Sequence, residues 1–317
     1  MASPKRSDFP WEGAQNEVTA GNSESGGGPY SLLIFPFSLY SIMARFSIEL
    51  GKEYHQGPNG VPNISHKLID LHRDENLDEW FLTKINGNGQ VPVMTREWGN
   101  GSTKPRLEVT TESVLISKFF GENFFPGLLG GAHTGEVDRL LAKIHEIQAF
   151  SLSIKSPTKE QAVEVPDPGQ DERLARTDIS DEYRRALEYK RVHSSYYDNL
   201  AYALRPENIQ KAKAQAADLF EQLLLIYREH HSSPATEQEQ NQAIWLFGSA
   251  TGPTILDAHA VAFIARIDDA GQEELVPGDL LVYARKVRSL PAWEAVTHGR
   301  KTKWDRSYGH VYLLKDF

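Results

Sequence analysis

Apolar and polar positions alternate in short blocks over the first third of the chain. A compact apolar run at residues 31–35 predicts a buried strand, which Pro36 ends. Apolar residues at helical spacing over 42–50 then predict a helix that ends near Gly51. Ser38 stands where the N-cap of this helix is expected. The first unit is therefore a strand followed by a helix.

A second strand–helix pair and two further strands follow. The segment 67–71 predicts a strand, and residues 76–85 predict a short amphipathic helix. The apolar segment 91–94 predicts a third strand and residues 107–109 a fourth. This order of strands and helices is typical of a thioredoxin-like domain.

Two junctions in this region combine backbone and side-chain signals. A proline cannot donate to a strand ladder, so Pro92, between Val91 and Val93, predicts a strand end, a bulge or a cis turn. Glu112 and Ser113 precede a compact apolar helix, which places Ser113 near a helix N-terminus where an anion is stabilised.

Beyond residue 126 the apolar periodicity is helical only. Stripes over 137–152 and 209–227 predict amphipathic helices. Thr254 and Asp257 have the spacing of a capping box before the segment 258–264, which is apolar on nearly every face and must be buried. We therefore predict a helical domain over residues 122–317, after an α/β domain over residues 30–121.

Three segments lack a core pattern. Residues 1–29 are rich in Ser, Gly and charge, which predicts a disordered tail. Residues 155–182 are rich in Pro, Asp and Glu, and we expect them to form an exposed, mobile insertion. The basic run 300–303 is expected to be exposed to solvent.

Composition narrows the classes of function. The 317 residues carry a formal net charge of −9, which disfavours binding to nucleic acid or to an anionic membrane. No apolar run reaches the roughly 18 residues of a spanning helix and no secretory signal is recognised, so we expect a cytoplasmic protein. The chain has no cysteine, so any thiol chemistry must come from a bound cofactor. The scattered histidines predict no metal site.

With the Val91-Pro92 strand, the Glu112-Ser113 helix start and the helical second half, the chain resembles the cytosolic glutathione transferases over roughly residues 31–300. The resemblance implies a thioredoxin-like α/β domain followed by an all-α helical bundle, with glutathione as the cofactor. The lead-in to the Thr254 capping box also resembles a folding motif of the second domain in this family.

The resemblance also implies roles for five positions in binding glutathione. Ser113 suits the γ-glutamyl carboxylate, and Glu112 suits the ammonium. The backbone of Val91, turned outward by a cis bond to Pro92, suits antiparallel pairing with the cysteinyl unit. Gln90 suits the glycyl carboxylate.

For the thiol, the position that matches the family's catalytic serine is Ser38, seven residues before Arg45 as in serine-type relatives. A hydroxyl donor at a helix N-terminus favours the thiolate over the thiol. The neighbouring sequence departs from the usual pattern after this serine, so Ser41 and Tyr40 stay as alternatives, in that order after Ser38.

The resemblance implies an enzyme that activates glutathione for attack on a hydrophobic, electrophilic and conjugated small molecule. The long tail, the extended loops and the lack of cysteine resemble fungal transferase-like proteins of specialised-metabolite pathways, where the outcome is a conjugate or a cis–trans isomer. A homodimer is expected from the family. The alternative is a non-catalytic glutathione-binding or regulatory module with the same fold.

Overall fold

The computed structural model describes residues 30–98, 106–155, 168–197, 200–231 and 244–314. The predicted disordered tail, 1–29, lies outside these residues, as do residues 156–167 of the predicted insertion.

Four strands form one mixed sheet in the order β2-β1-β3-β4. They are β1 (Tyr30–Ile34), β2 (Ile64–Leu68), β3 (Val93–Trp98) and β4 (Arg106–Thr111). β1 pairs in parallel with β2 and antiparallel with β3, which pairs antiparallel with β4. The second strand spans 64–68 rather than the predicted 67–71, and it ends before residue 70 because Asp70 caps a 3-10 turn through a bond from His72 N.

Two of the three helices predicted in the first domain are present as α1 (Leu39–Tyr54) and α2 (Ser113–Asn123). The amphipathic helix predicted over residues 76–85 is not continuous. It is replaced by a 3-10 turn at Glu75–Leu77 and a π-helical turn at Phe81–Ile85. Asp78, with a ψ of 147°, is extended and separates them. The side chains at the break bond outside this segment, since Asn76 donates to Gly89 O and Asp78 pairs with Arg173.

The second part of the chain, as far as it is described, is helical. Its helices are α3 (Thr134–Glu146), α4 (Pro168–Ala175), α5 (Asp181–Tyr197), α6 (Leu200–Ala203), α7 (Pro206–His231), α8 (Gly248–Thr251), α9 (Ile255–Asp269), α10 (Gly278–Arg288) and α11 (Pro291–Thr297). The predicted capping box opens α9, which is buried over residues 255–267 and packs on α1 and α3. A sheet domain followed by a helical domain is therefore confirmed, and the boundary at residue 121 stays a prediction.

Part of the segment predicted as an exposed, mobile insertion is folded where the structure describes it; most of its described residues are exposed, and its mobility stays a prediction. Residues 168–175 form α4, which together with α5 packs on residues 74–89 of the first domain. Leu174 and Ile179 pack against the apolar cluster formed by Leu77 with residues of α5. Arg173 of α4 also lies beside the carboxylate of Asp78. Few apolar residues suffice to hold α4 in place because polar side chains such as Arg173 make much of its contact with residues 74–89.

The basic run 300–303 is not uniformly exposed, in contrast to the expectation. Thr302 is fully buried, because its backbone N–H and its hydroxyl both donate to the Asp269 carboxylate. The residues after it then cover one side of the sheet. They complete a second apolar cluster, whose buried members are Leu33, Phe35, Phe37, Ile69, Phe81, Val91, Val93 and Val311.

Candidate functional site

The strand directions bring three predicted junctions to one edge of the sheet. Because β3 runs antiparallel to both β1 and β4, its first residue lies beside the last residues of its neighbours. Val93 pairs with Leu33 on one side and with Thr111 on the other. The segments that carry Ser38, Val91-Pro92 and Glu112-Ser113 therefore meet at this edge, which we call the candidate site.

Ser38 is the N-cap of α1 and is partly buried. Its oxygen accepts a hydrogen bond from Ser41 N at 3.3 Å, which satisfies one unpaired donor of the helix N-terminus. Its hydroxyl donates a long bond of 3.5 Å to the carbonyl oxygen of Val91. Ser38 and Val91 are thus in contact across the site.

The two alternatives to Ser38 face elsewhere. Ser41 is fully buried, and its hydroxyl oxygen accepts from Phe35 N at 3.4 Å. Tyr40 points towards the helical domain, where its ring stacks on that of His145 with centroids 5.4 Å apart. The order of preference among these three residues stays a prediction.

The Val91-Pro92 bond is cis. Gln90, just before it, is half-buried, and its carbonyl oxygen accepts from Asn86 Nδ2 at 2.9 Å. Val91 itself is buried in the second apolar cluster. The segment 90–92 is thus held by the packing of Val91 and by the hydrogen bond from Asn86 to Gln90.

Glu112 and Ser113 differ in exposure and in backbone geometry. Glu112 is exposed and has a φ of 70°, a region that residues other than glycine rarely adopt. Ser113 is the first residue of α2 and is 3% exposed. Its hydroxyl has no hydrogen-bond partner within the described residues. A buried hydroxyl beside the positive end of a helix is suited to an anionic group.

Helix α5 lies against the loop that precedes the cis bond, which sequence reasoning missed. Tyr189 donates through its hydroxyl to Asn88 Oδ1 at 3.0 Å. The stem of Lys190, 4% exposed, fills the space above Gly89, where an added Cβ would lie 2.9 Å from the lysine Cε. Gly89 is therefore required both for its φ of 60° and for this close approach. The sequence signal for this contact was the set of tyrosines at helical spacing in the α5 segment, which includes Tyr189.

Sequence reasoning also missed the contacts that hold the loop before Ser38. Arg266 of α9 donates to the carbonyl oxygen of Phe37 at 2.8 Å. The Phe37 ring stacks on Tyr308, with centroids 5.5 Å apart and planes 6° from parallel. The only sequence signal was an arginine at the end of an otherwise apolar helix.

A chain of buried polar groups runs behind Tyr40. His259 of α9 is fully buried, with Nε2 3.1 Å from Ser117 Oγ and Nδ1 2.9 Å from His145 Nε2. Burial lowers the pKa of His145 to about 4 and that of His259 well below its usual value. Both imidazoles are therefore neutral at pH 7, and each bond of the chain joins neutral groups.

Comparisons with known proteins find relatives by structure only. No family model matches the chain, and no curated protein matches it. The β-etherase LigF from Sphingobium sp. strain SYK-6 is similar, with 17% identity over 86% of this chain and 100% of that chain, and a TM-score of 0.52. The chain shares the fold of this protein, a mixed four-stranded sheet followed by a helical domain. The predicted class, a thioredoxin-like domain followed by a helical bundle, is confirmed.

Two further solved structures are similar at lower scores. FzlA from C. crescentus is 19% identical over 90% of this chain and 99% of that chain, with a TM-score of 0.49. Glutathione transferase Omega 3C from Trametes versicolor is 14% identical over 92% of each chain, with a TM-score of 0.47.

Two searches of the described residues gave negative results. None of the helices there is both long and apolar enough to cross a membrane. Within the same residues, no three His, Asp or Glu side chains are grouped closely enough to hold a metal ion.

Proposed function

We propose that the protein binds glutathione at the candidate site and activates its thiol for addition to an electrophilic small molecule. Ser113 and Glu112 bind the γ-glutamyl end, the Val91 backbone pairs with the cysteinyl unit, and Gln90 contacts the glycyl carboxylate. Ser38 donates a hydrogen bond to the thiolate.

One observation carries the proposal. The Ser38 hydroxyl reaches the Val91 carbonyl, and the junction that holds the buried Ser113 hydroxyl lies at the same edge of the sheet. The Ser113 hydroxyl at the start of α2 suits a carboxylate, and the Val91 backbone beside Ser38 suits a peptide unit. Glutathione has both, and the shared fold supports this choice of ligand.

The magnitude of the activation is within reach of one hydroxyl and one helix terminus. Lowering a thiol pKa from about 8.5 to about 6.5 requires roughly 2.7 kcal/mol of preferential stabilisation of the thiolate. A hydrogen bond to a charged group contributes about 1.5–3 kcal/mol, and the helix N-terminus adds about 0.3–1 kcal/mol. No cysteine or metal of the protein's own is needed.

The chemistry that follows is addition of the thiolate to a conjugated alkene. Where the alkene is conjugated to a carbonyl group, the thiolate forms a sulfur–carbon bond at the β-carbon as the alkene electrons move towards the carbonyl oxygen to give an enolate, and protonation of the enolate gives a conjugate. If the former double bond rotates before the thiolate is expelled, the product is a cis–trans isomer and glutathione is regenerated. The resemblance to fungal transferase-like proteins supports a substrate from specialised metabolism and a cytoplasmic homodimer.

The binding assignment is tested by calorimetry with glutathione on the Glu112→Ala/Ser113→Ala double variant. Loss of a charge partner and an anion contact should weaken binding by about 3 kcal/mol, or roughly a hundredfold in Kd. Glu122→Ala is the matched control, because Glu122 is an exposed acid near the other end of α2. Unchanged affinity in the double variant would exclude the assignment.

The second candidate is a non-catalytic glutathione-binding module. It is favoured by the present hydrogen bonds of Ser38, which already caps α1 and contacts Val91. Ultraviolet difference titration of bound glutathione separates the two, since thiolate absorbs where thiol does not. A bound thiol with the same pKa as the free tripeptide identifies the binding module.

A further inference from the structure

Both polar atoms of the Phe37–Ser38 peptide are hydrogen-bonded. Ser38 N donates to Phe35 O at 2.9 Å, and Phe37 O accepts from Arg266 at 2.8 Å. Two bonds in opposite directions fix the plane of this peptide. That plane determines where the Ser38 side chain begins, so the position of its hydroxyl depends on Arg266.

Arg266 is in turn oriented by Thr302. Its guanidinium donates to the carbonyl oxygen of Thr302 at 2.7 Å and to the threonine hydroxyl at 3.2 Å. Thr302 is fully buried and donates twice to the Asp269 carboxylate, at 2.7 and 2.8 Å. Burial lowers the pKa of Arg266 to about 10, which still leaves the guanidinium charged at pH 7. It is therefore a charged donor with a fixed direction.

The same segment of chain also reaches the Phe37 side chain. Tyr308 stacks on the Phe37 ring, and its hydroxyl accepts from Lys301 N at 3.1 Å. The indole N–H of Trp304 also donates to the carbonyl oxygen of Gly309 at 3.0 Å, which closes the turn over residues 304–309. Residues 301–311 therefore form a folded segment, which we call the strap.

The strap supports the other side of the candidate site as well. Val311, 1% exposed, is part of the apolar cluster that contains Phe37 and Val91. The loop that presents Ser38 and the backbone that contacts it thus rest on a common apolar base.

We propose that the strap, acting through Arg266 and Tyr308 on Phe37, holds the Ser38 hydroxyl in the position from which it donates to the glutathione thiolate. Arg266, Thr302 and Tyr308 are positioning residues, since none of them is required to touch the ligand. The inference rests on the proposed function of Ser38. A displacement of about 1 Å at a reacting group can cost up to a hundredfold in rate, so contacts remote from the thiol matter.

The test compares Tyr308, which lies in the strap, with Tyr312, which lies just beyond it. Tyr308→Leu removes the ring that stacks on Phe37, whereas Tyr312→Leu removes an exposed ring that packs on Arg73. Thr302→Val is a second variant of similar volume that removes the hydroxyl beside Arg266. For each we measure the pKa of the bound glutathione thiol by ultraviolet titration, the affinity by calorimetry, and hydrogen exchange of residues 35–42.

In Tyr308→Leu and Thr302→Val we expect the thiol pKa to rise by about one unit, with affinity within about threefold of the parent. Exchange of residues 35–42 should become faster. Tyr312→Leu should match the parent in all three measurements. If Tyr308→Leu lowers the melting temperature but leaves the thiol pKa and the exchange of residues 35–42 unchanged, the strap contributes to stability alone and the proposal is overturned.

Failure of the proposed function itself gives a different result. In that case the parent protein leaves the bound thiol unshifted or binds no glutathione. Hydrogen exchange then decides on the strap alone: faster exchange in Tyr308→Leu but not in Tyr312→Leu supports its hold on the loop, and equal exchange refutes it.

Discussion

The hydrogen-bonded pair His145 and His259 makes the stability of the fold depend on pH in a calculable direction. His259 is fully buried and His145 is partly buried, and the groups that face the pair include Tyr40 of α1 and Ser117 of α2. Burial lowers the pKa of His145 from 6.5 to about 4. The unfolded chain therefore takes up a proton near pH 6.5, and the folded chain does not.

The sign follows from this difference in proton binding. Between pH 6.5 and 4 the unfolded state holds more protons, so the free energy of unfolding falls as the pH falls. The full stability is present above pH 6.5. For His145 alone, 2.5 units correspond to about 3 kcal/mol lost by pH 4. From pH 7.5 to 5.5 the loss is about 1.4 kcal/mol, because the unfolded histidine is then mostly protonated.

Urea unfolding at pH 7.5, 6.5 and 5.5 measures this loss, in a range above the ordinary titration of carboxylates. His145→Gln retains hydrogen-bonding groups but no titrating ring, so its loss over the range should be smaller than the parent's by about 1.4 kcal/mol. His310→Gln, at an exposed histidine, is the control and should behave as the parent. If His145→Gln shows the parent's full pH dependence, the ring is not kept neutral by burial.

Two further predictions concern turnover and the capping box. Ser38→Ala should lower the rate of thiol addition roughly ten- to a hundredfold with glutathione affinity retained, whereas Ser41→Ala and Tyr40→Phe should keep the parental rate. Steady-state kinetics with a conjugated enone measures these rates. A parental rate in Ser38→Ala would exclude Ser38 as the donor to the thiolate. Asp257→Ala should lower the free energy of unfolding in urea by about 3 kcal/mol, because it leaves the buried donors Leu246 N and Thr254 N without their acceptor. Asp279→Asn, at an exposed aspartate, should lower it by less than about 0.5 kcal/mol. Equal losses in the two variants would refute the reasoning.

The parts of the fold that the sequence predicts well are those set by local chemistry. Pro36 ends β1, Thr254 and Asp257 form the capping box, and the bond before Pro92 is cis. Each depends on residues within a few positions of one another. The strand ends that build the candidate site are therefore predictable, although the roles of its side chains stay predictions.

The contacts of the insertion and of the strap were not predictable for a common reason. Both segments are rich in charged and polar residues, which in isolation indicate exposure to solvent. The structure buries Thr302 beside Asp269, 33 residues away, and pairs Arg173 of the insertion with Asp78, 95 residues away. Such pairs follow no periodic pattern, because each polar group is satisfied by one specific partner far along the chain.

The two roles of Ser38 are compatible, which bears on the choice between enzyme and binding module. As an N-cap its oxygen uses a lone pair to accept from Ser41 N, and its hydroxyl proton is then directed to Val91 O at 3.5 Å. That bond is long and joins neutral groups, whereas a bond to a thiolate is charge-assisted and roughly twice as strong. Exchange of one acceptor for the other favours the thiolate and leaves the helix cap intact. The helix cap and the activated thiol therefore do not compete for the same atom. In the enzyme, Ser38→Ala should lower both the stability of α1 and the acidity of the bound thiol, whereas in a binding module it should lower the stability of α1 alone.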